Sequence, residues 1–231
     1  MQKALISDQA TLKRNFRKDL KGEVALRLFT QLPSPIAIPG RDCKYCPQTQ
    51  QMMEELVSLS PKLNLETVDF YAEPAVAEEH GITRIPAIVI GSDTGSRVRF
   101  FGIPAGYELG MIIEDIKTIS NGTTPLSMDT RKRLRAINSP VHIQVFVTPD
   151  SVYCPSMARL AHALALANEH ITADVIELQE FPALGKKYGV RSVPLTVIND
   201  FTQAQGVVLE PEFVAKVVEA GVRKEPESFT K

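Results

Sequence analysis

Apolar and polar positions along this chain follow one rhythm, run through twice. Residues 24–29 alternate and are rich in aliphatics, which predicts a strand, and 63–70 predicts the next. Between them, Met52, Met53, Leu56 and Val57 recur at helical spacing. A short helix is expected at 74–80, a hairpin from 87–90 and 97–101 around a Gly-Ser-Asp-Thr-Gly turn at 91–95, and a closing helix at 107–119. A mixed-charge helix over 7–20, with Ser7 as its capping residue, leads this half. Pro33, Pro35 and Pro39 mark 31–40 as loop. The second half predicts a leading helix at 129–137 and a strand at 141–147. A helix from Ser151 follows, with Met157, Leu160, Ala161, Leu164 and Ala165 as its stripe. Then come a strand at 173–178, a helical turn at 183–188, paired strands at 195–198 and 205–209, and a last helix at 211–220. Each half reads β-α-β, short helix, β-β-α. A parallel crossover followed by an antiparallel hairpin gives a four-stranded mixed sheet flanked by helices, so the fold class is α/β. The small polar stretch 120–125 joins the halves, and the expected units are 1–122 and 123–231.

The halves also share a motif. Cys43-Lys44-Tyr45-Cys46-Pro47 is followed by Thr83-Arg84-Ile85-Pro86, and Ser151-Val152-Tyr153-Cys154-Pro155 by Arg191-Ser192-Val193-Pro194. From Cys46 to Pro86, and from Cys154 to Pro194, the interval is 40 positions. A common Tyr-Cys-Pro and an equal proline offset indicate a duplicated fold. One copy has serine where the other has its first cysteine.

Composition narrows the chemistry. Hydrophobic residues make up 44% and charged residues 23%, as in a globular protein with a substantial core. The net charge of −1 favours neither nucleic acid nor an anionic membrane as partner. The amino-terminal segment is polar, without an apolar stretch typical of a leader, and no run of eighteen apolar residues occurs, so a cytosolic location is expected. Three cysteines are too few for a disulfide scaffold, and a Cys-x-x-Cys pair in a reducing compartment points to redox chemistry or metal. Tetrahedral zinc needs two further ligands, and the four histidines are scattered, so no metal is expected.

A strand ending before Cys43 and a helix beginning at the motif would set that cysteine at a helix N-terminus, where free amides and the macrodipole stabilise a thiolate. Arg41 and Lys44 add positive charge, and Cys46, one turn on, is in reach for a disulfide. The expected chemistry is thiol–disulfide exchange, with Cys43 attacking and Cys46 resolving. Lys44, Tyr45, Ile85 and Pro86 are candidate substrate-contacting residues. The Ile85–Pro86 bond is expected to be cis, leaving the Ile85 backbone for a peptide to pair with. The second site, Ser151, Cys154, Val193 and Pro194, reads as degenerate: Ser151 as a helix N-cap and Cys154 as a buried small hydrophobe. His80 aligns with Tyr188 and reads as a core or rim position.

CKYC with TRIP, and YCP with YGVRSVP, are similar to thioredoxin and glutaredoxin folds. Together with Gly102-Ile103-Pro104-Ala105-Gly106-Tyr107-Glu108 and Ile143-Gln144-Val145-Phe146-Val147-Thr148-Pro149, the tandem resembles the protein disulfide oxidoreductase family, over nearly the whole chain. The resemblance implies two thioredoxin-fold units, dithiol–disulfide exchange on disulfide-containing or unfolded proteins, and no bound cofactor beyond the Cys43–Cys46 disulfide. It also implies reduction by a thioredoxin-reductase-like flavoprotein that uses a pyridine nucleotide. The family usually has Cys-x-x-Cys in both units, so Ser151 is a departure. The approach to the first motif is nine residues longer than to the second, and Ile36 and Ile38 in it are candidates for an apolar lip beside Cys43. The charged fraction of 23% also falls short of the enrichment expected of a hyperthermophile. Three rival readings remain: a glutathione-dependent glutaredoxin, a peptide-binding module with an incidental dithiol, and an electron relay to a peroxiredoxin.

Overall fold

The computed structural model describes residues 5–33, 41–91 and 95–222. Helix α1 (Gln9–Asp19) opens the chain, capped by the Asp8 carboxylate, which accepts from the Thr11 amide. Ser7 therefore stands one residue outside the cap. Strand β1 (Val24–Thr30), α2 (Cys46–Ser58), β2 (Leu63–Asp69), α3 (Pro74–Glu79), β3 (Ala87–Ile90), β4 (Val98–Phe101) and α4 (Tyr107–Asn121) complete the first series. The second runs α5 (Met128–Leu134), β5 (Val141–Val147), α6 (Cys154–Ala167), β6 (Ile171–Glu177), α7 (Pro182–Lys187), β7 (Leu195–Ile198), β8 (Thr202–Gln205) and α8 (Glu210–Gly221). Residues 92–94 of the expected first turn lie outside the described residues.

Period-two alternation sorts the strand side chains. Leu26, Leu28, Ile88 and Ile90 face one core with α1, α2, α4, α5, α6 and α8; Phe29, Ala87, Val89 and Phe101 face a second core with α3 and α7. Two further positions here depart from expectation. The partner of β7 is Thr202–Gln205, ahead of the apolar 205–209, because Asn199 and Asp200 both adopt left-handed φ (48° and 65°) and turn the chain at once. And α6 begins at Cys154 with Tyr153 as its cap residue, so Ser151 is not the N-cap.

The two four-stranded sheets are one. Strand β4 pairs in parallel with β6, Val98 against Ala173 through Phe101 against Ile176, giving the order β2-β1-β3-β4-β6-β5-β7-β8. On one face of this seam, α4 packs on α6 and the buried His162 Nδ1 lies 2.6 Å from Asp115 Oδ2. On the other face, Arg99 Nε donates to Asp174 Oδ1 at 2.6 Å, and His142 Nε2 meets the second carboxylate oxygen at 2.7 Å. Strands β1, β4, β6 and β5 run parallel, so the carboxyl ends of β1 and β5, where the two motifs begin, share one edge of the sheet. Four strand steps separate them, about 19 Å at the usual inter-strand spacing.

Candidate active site

The first motif leaves the end of β1. Gln31, the next residue, holds it from two sides: its amide donates to Cys46 Sγ (3.4 Å), and its side-chain oxygen accepts from the Cys43 amide (3.1 Å). Cys43 and Cys46 form a disulfide with Cα atoms 5.4 Å apart. The helix starts at Cys46, not at Cys43, and Tyr45 is its cap residue. Cys43 thus lies in the bend ahead of the helix, and the disulfide ties it to the first helical residue, beside the positive end of the macrodipole. Cys46 is buried (1% exposed), while Cys43 is half-buried and Lys44 exposed. That difference suits a pair in which one sulfur meets a substrate and the other stays behind it. The two flanking cations lie over rings, Lys44 Nζ at 4.8 Å from the Tyr45 centroid and the Arg41 guanidinium at 4.8 Å from that of Tyr71. Ile36 and Ile38 lie outside the described residues.

Pro86 stands at the same sheet end, because Ala87 pairs with Phe29. The Ile85–Pro86 and Val193–Pro194 peptide bonds are both cis. Ile85 and Val193 are half-buried. His80 sits at the rim of the second core, its ring tilted against Phe29 with centroids 5.7 Å apart and bonded to Ser96 Oγ through Nδ1.

The second site repeats the frame without the nucleophile. Cys154 is free and buried, and burial raises its thiol pKa above the ordinary value, against the opposing hydrogen bonds of the Ser151 hydroxyl and the Thr148 backbone. Ser151, half-buried, faces that thiol, while Val152 and Tyr153 are exposed.

Between the two sites lies an acidic cluster that patterning does not reveal. Glu108, at the start of α4, is 2% exposed, and neither carboxylate oxygen has a hydrogen-bond partner among the described residues. Burial first, then the charge of Glu177 and, less, those of Glu180 and Asp150, push its carboxyl up to about 9, against the opposing influence of the Ala105 backbone. When ionised, it raises the Cys154 thiol pKa across the seam. Glu177 closes β6, its oxygens accepting the amides of Gln179 (2.9 Å) and Glu180 (2.8 Å). Glu180 is pushed up to about 7 by burial, opposed by the Ile103 amide it accepts. The cluster's one signal in the chain was Glu108 within the Gly102-to-Glu108 string. Gln31 carried none, since a glutamine after a strand is ordinary. No group of three or more His, Cys, Asp or Glu among the described residues could hold a metal ion, and no helix among them is long and apolar enough to cross a membrane.

Comparison with known proteins agrees with this geometry. The thioredoxin-domain family model matches residues 35–114 and again 141–219. A thioredoxin from Methanocaldococcus jannaschii is 32% identical over 96 residues, covering 41% of this chain and 94% of that protein. Among solved structures, a protein disulfide oxidoreductase from Aeropyrum pernix superposes with a TM-score of 0.84 at 26% identity, over 96% of this chain and 95% of that one. An alkylhydroperoxide reductase, AhpF, from Enterococcus faecalis gives 0.79 at 25% identity, over 90% and 96%. Matched twice along its length and closed by a cysteine pair in its first unit, the chain belongs to the thioredoxin-domain family, as a tandem disulfide oxidoreductase.

Proposed function

We propose that the chain exchanges disulfides with protein substrates through Cys43 and Cys46 alone, with the second unit redox-silent. The observation that carries this reading is the closed Cys43–Cys46 pair, one sulfur half-buried at the rim and one buried behind it, beside a second site that lacks the attacking sulfur. In the reducing direction the Cys43 thiolate attacks one sulfur of the substrate disulfide. A mixed disulfide forms, and the other substrate sulfur leaves as a thiolate. Cys46 then loses its proton and attacks Cys43 Sγ, and the second substrate thiolate leaves. Two electrons have passed to the substrate, and the protein holds its own disulfide. An external two-electron donor must reopen it, for which a thioredoxin-reductase-like flavoprotein drawing on a pyridine nucleotide is the proposed partner. Lys44, Tyr45 and the backbone of Ile85 line the approach, and Pro86 bounds it. Serine cannot replace the nucleophile at Ser151, because its hydroxyl does not ionise near neutral pH. A cytosolic location suits a pair that must be re-reduced.

The test is a glutathione redox titration with acid trapping, alkylation and mass spectrometry on each cysteine. Cys43 and Cys46 should change together as one two-electron couple while Cys154 stays in one state. A disulfide involving Cys154, or a pair that does not cycle, would reject the mechanism.

A second reading is favoured by the likeness to the alkylhydroperoxide reductase: electrons taken up at Cys43–Cys46 pass on to a peroxiredoxin. Peroxide consumption by a peroxiredoxin that depends on this chain and stops in Cys43→Ser would support it; absence of coupling with several peroxiredoxins would remove it.

A further inference from the structure

The loop that leads into Pro86 is held from the other unit. Arg84 lies in a slot between two rings, its guanidinium carbon 5.0 Å from the centroid of Phe101 and 5.9 Å from that of Phe181 in the second unit. The Gly102 amide donates to the Pro86 carbonyl at 2.9 Å, and the next amide, Ile103, donates to Glu180 Oε1 at 2.5 Å. The approach is so close that a Cβ on Gly102 (φ +116°) would meet Glu177 Cβ at 2.8 Å and Glu180 Oε1 at 2.9 Å. Glu180 and Phe181 are adjacent residues in the turn from β6 to α7, so one turn of the second unit grips both sides of the proline loop of the first.

Nothing reciprocates among the described residues. In the first unit the matching turn runs from Asp69, which accepts the Tyr71 and Ala72 amides much as Glu177 accepts those of Gln179 and Glu180. Aligned on Pro74 and Pro182, Ala72 and Glu73 stand where Glu180 and Phe181 stand. The second unit's own loop is held within that unit, by Gln205 Nε2 donating to the Ser192 carbonyl (3.0 Å) and hydroxyl (3.1 Å) and to the Pro194 carbonyl (3.2 Å). The brace is therefore one-sided and serves the unit with the dithiol.

We propose that the Glu180–Phe181 turn of the degenerate unit positions polypeptide substrates at the working site, by holding the Arg84–Pro86 loop against which the substrate backbone lies. This rests on the disulfide-exchange reading above and gives the redox-silent unit a part in it. Glu180 is a positioning residue, acting through Ile103 and Gly102 on Pro86. The titratable groups facing it are Glu177 on its own turn, Lys44 on the dithiol bend and Glu108 on α4, which Asp150 ahead of α6 also influences, with Arg84 beyond the Phe181 ring. As a carboxylate it is the stronger acceptor for the Ile103 amide, and it loses that advantage on protonation.

The experiment compares, in the full chain, reduction of insulin with reduction of hydroxyethyl disulfide, which has no backbone to align. The ratio of the two kcat/KM values cancels titration of the Cys43 thiol common to both. In the unaltered protein this ratio should rise from pH 6 to pH 8. Glu180→Ala should lower it about fivefold at pH 8, the order expected for the net loss of one ordinary hydrogen bond. Glu180→Gln keeps an acceptor for Ile103 and should restore most of the ratio but make it flat with pH. An unchanged ratio in Glu180→Ala, or both rates falling in parallel, would overturn the proposal; a pH slope that persists in Glu180→Gln would do so as well. An unaltered chain that reduces neither disulfide would instead overturn the underlying function.

Discussion

Replacing Glu108 by glutamine should make the protein more stable at neutral pH. The carboxyl has an ordinary value of 4.5 and is pushed up to about 9 in the fold, chiefly because it is buried, then because Glu177, Glu180 and Asp150 repel its charge. At 2% exposure, with both oxygens unpartnered among the described residues, little solvent screens it. Between those two values the folded chain holds a proton that the unfolded chain releases, so stability falls as pH rises. The favourable contribution is complete below about pH 4.5 and is lost progressively toward pH 9. Each pH unit in the window costs about 1.4 kcal/mol, so by pH 7 the native glutamate costs on the order of 3 kcal/mol. Glutamine has nearly the same shape and does not titrate. For a chain of this length 3 kcal/mol corresponds to a rise in Tm of about 6–12 °C. Without tryptophan, unfolding is best followed by far-UV circular dichroism, in urea at pH 5, 7 and 8.5. The variant's advantage should be small at pH 5 and widen steadily. A difference that stays constant with pH, or a variant less stable than the parent at pH 8.5, would refute the reasoning.

Gly106→Ala should cost about 2–4 kcal/mol, because a Cβ there would run into the Pro149 carbonyl oxygen on a residue with φ of 55°; an unchanged melting temperature would show that the turn yields freely. Arg99→Leu should destabilise by about 3 kcal/mol by leaving the buried Asp174 with His142 as its remaining partner, whereas Arg99→Leu with Asp174→Leu should recover much of that loss, as a double-mutant cycle in urea would show. Hydrogen bonds from His142 and the Arg99 charge hold the Asp174 carboxyl below its ordinary 3.8, so its contribution is present above that pH and is lost as pH falls through the lower folded value; acid unfolding of Asp174→Asn should be correspondingly shallower. Ser151→Cys should raise the exchangeable disulfide couples from one to two per chain in a thiol titration, since Cys154 already occupies the resolving position; a count of one would mean that the second frame has drifted from the first.

Most of the element order was legible because strands and helices write their periods locally, and the paired motifs fixed the alignment of the halves. What escaped was decided by backbone geometry or by distant partners. The apolar run 205–209 reads as a strand, but Asn199 and Asp200 turn the chain before it, leaving Val207 and Leu209 exposed. Ser151 suits a cap by residue type, yet the helix waits for Cys154, as α2 waits for Cys46. The dithiol was plain from spacing alone. Its supports were not: Gln31 acts through one amide and one side-chain oxygen, and Glu180 and Phe181 matter only because β4 lies beside β6, a pairing between strands far apart in the chain. Arg99, an ion inside an otherwise apolar strand, was the one local sign that β4 met something more than its own hairpin partner.

The joining of β4 to β6 changes what a half of this protein would be. A lone unit of this kind presents two open sheet margins, and cutting the chain at the join would leave the four residues of β4 and Ala173–Ile176 of β6 as unpaired ladders. Both strands are largely buried and mostly apolar, and neither carries the lysine or proline gatekeepers that keep margins from adding foreign strands. Each half would thus be a template for self-association: homodimers across the same ladder, or strand exchange between whole chains at high concentration. Covalent tandem linkage supplies the correct neighbour at a high effective concentration before a wrong one arrives. A duplication fused in this way is hard to undo, because each half would lose the strand that completes its sheet.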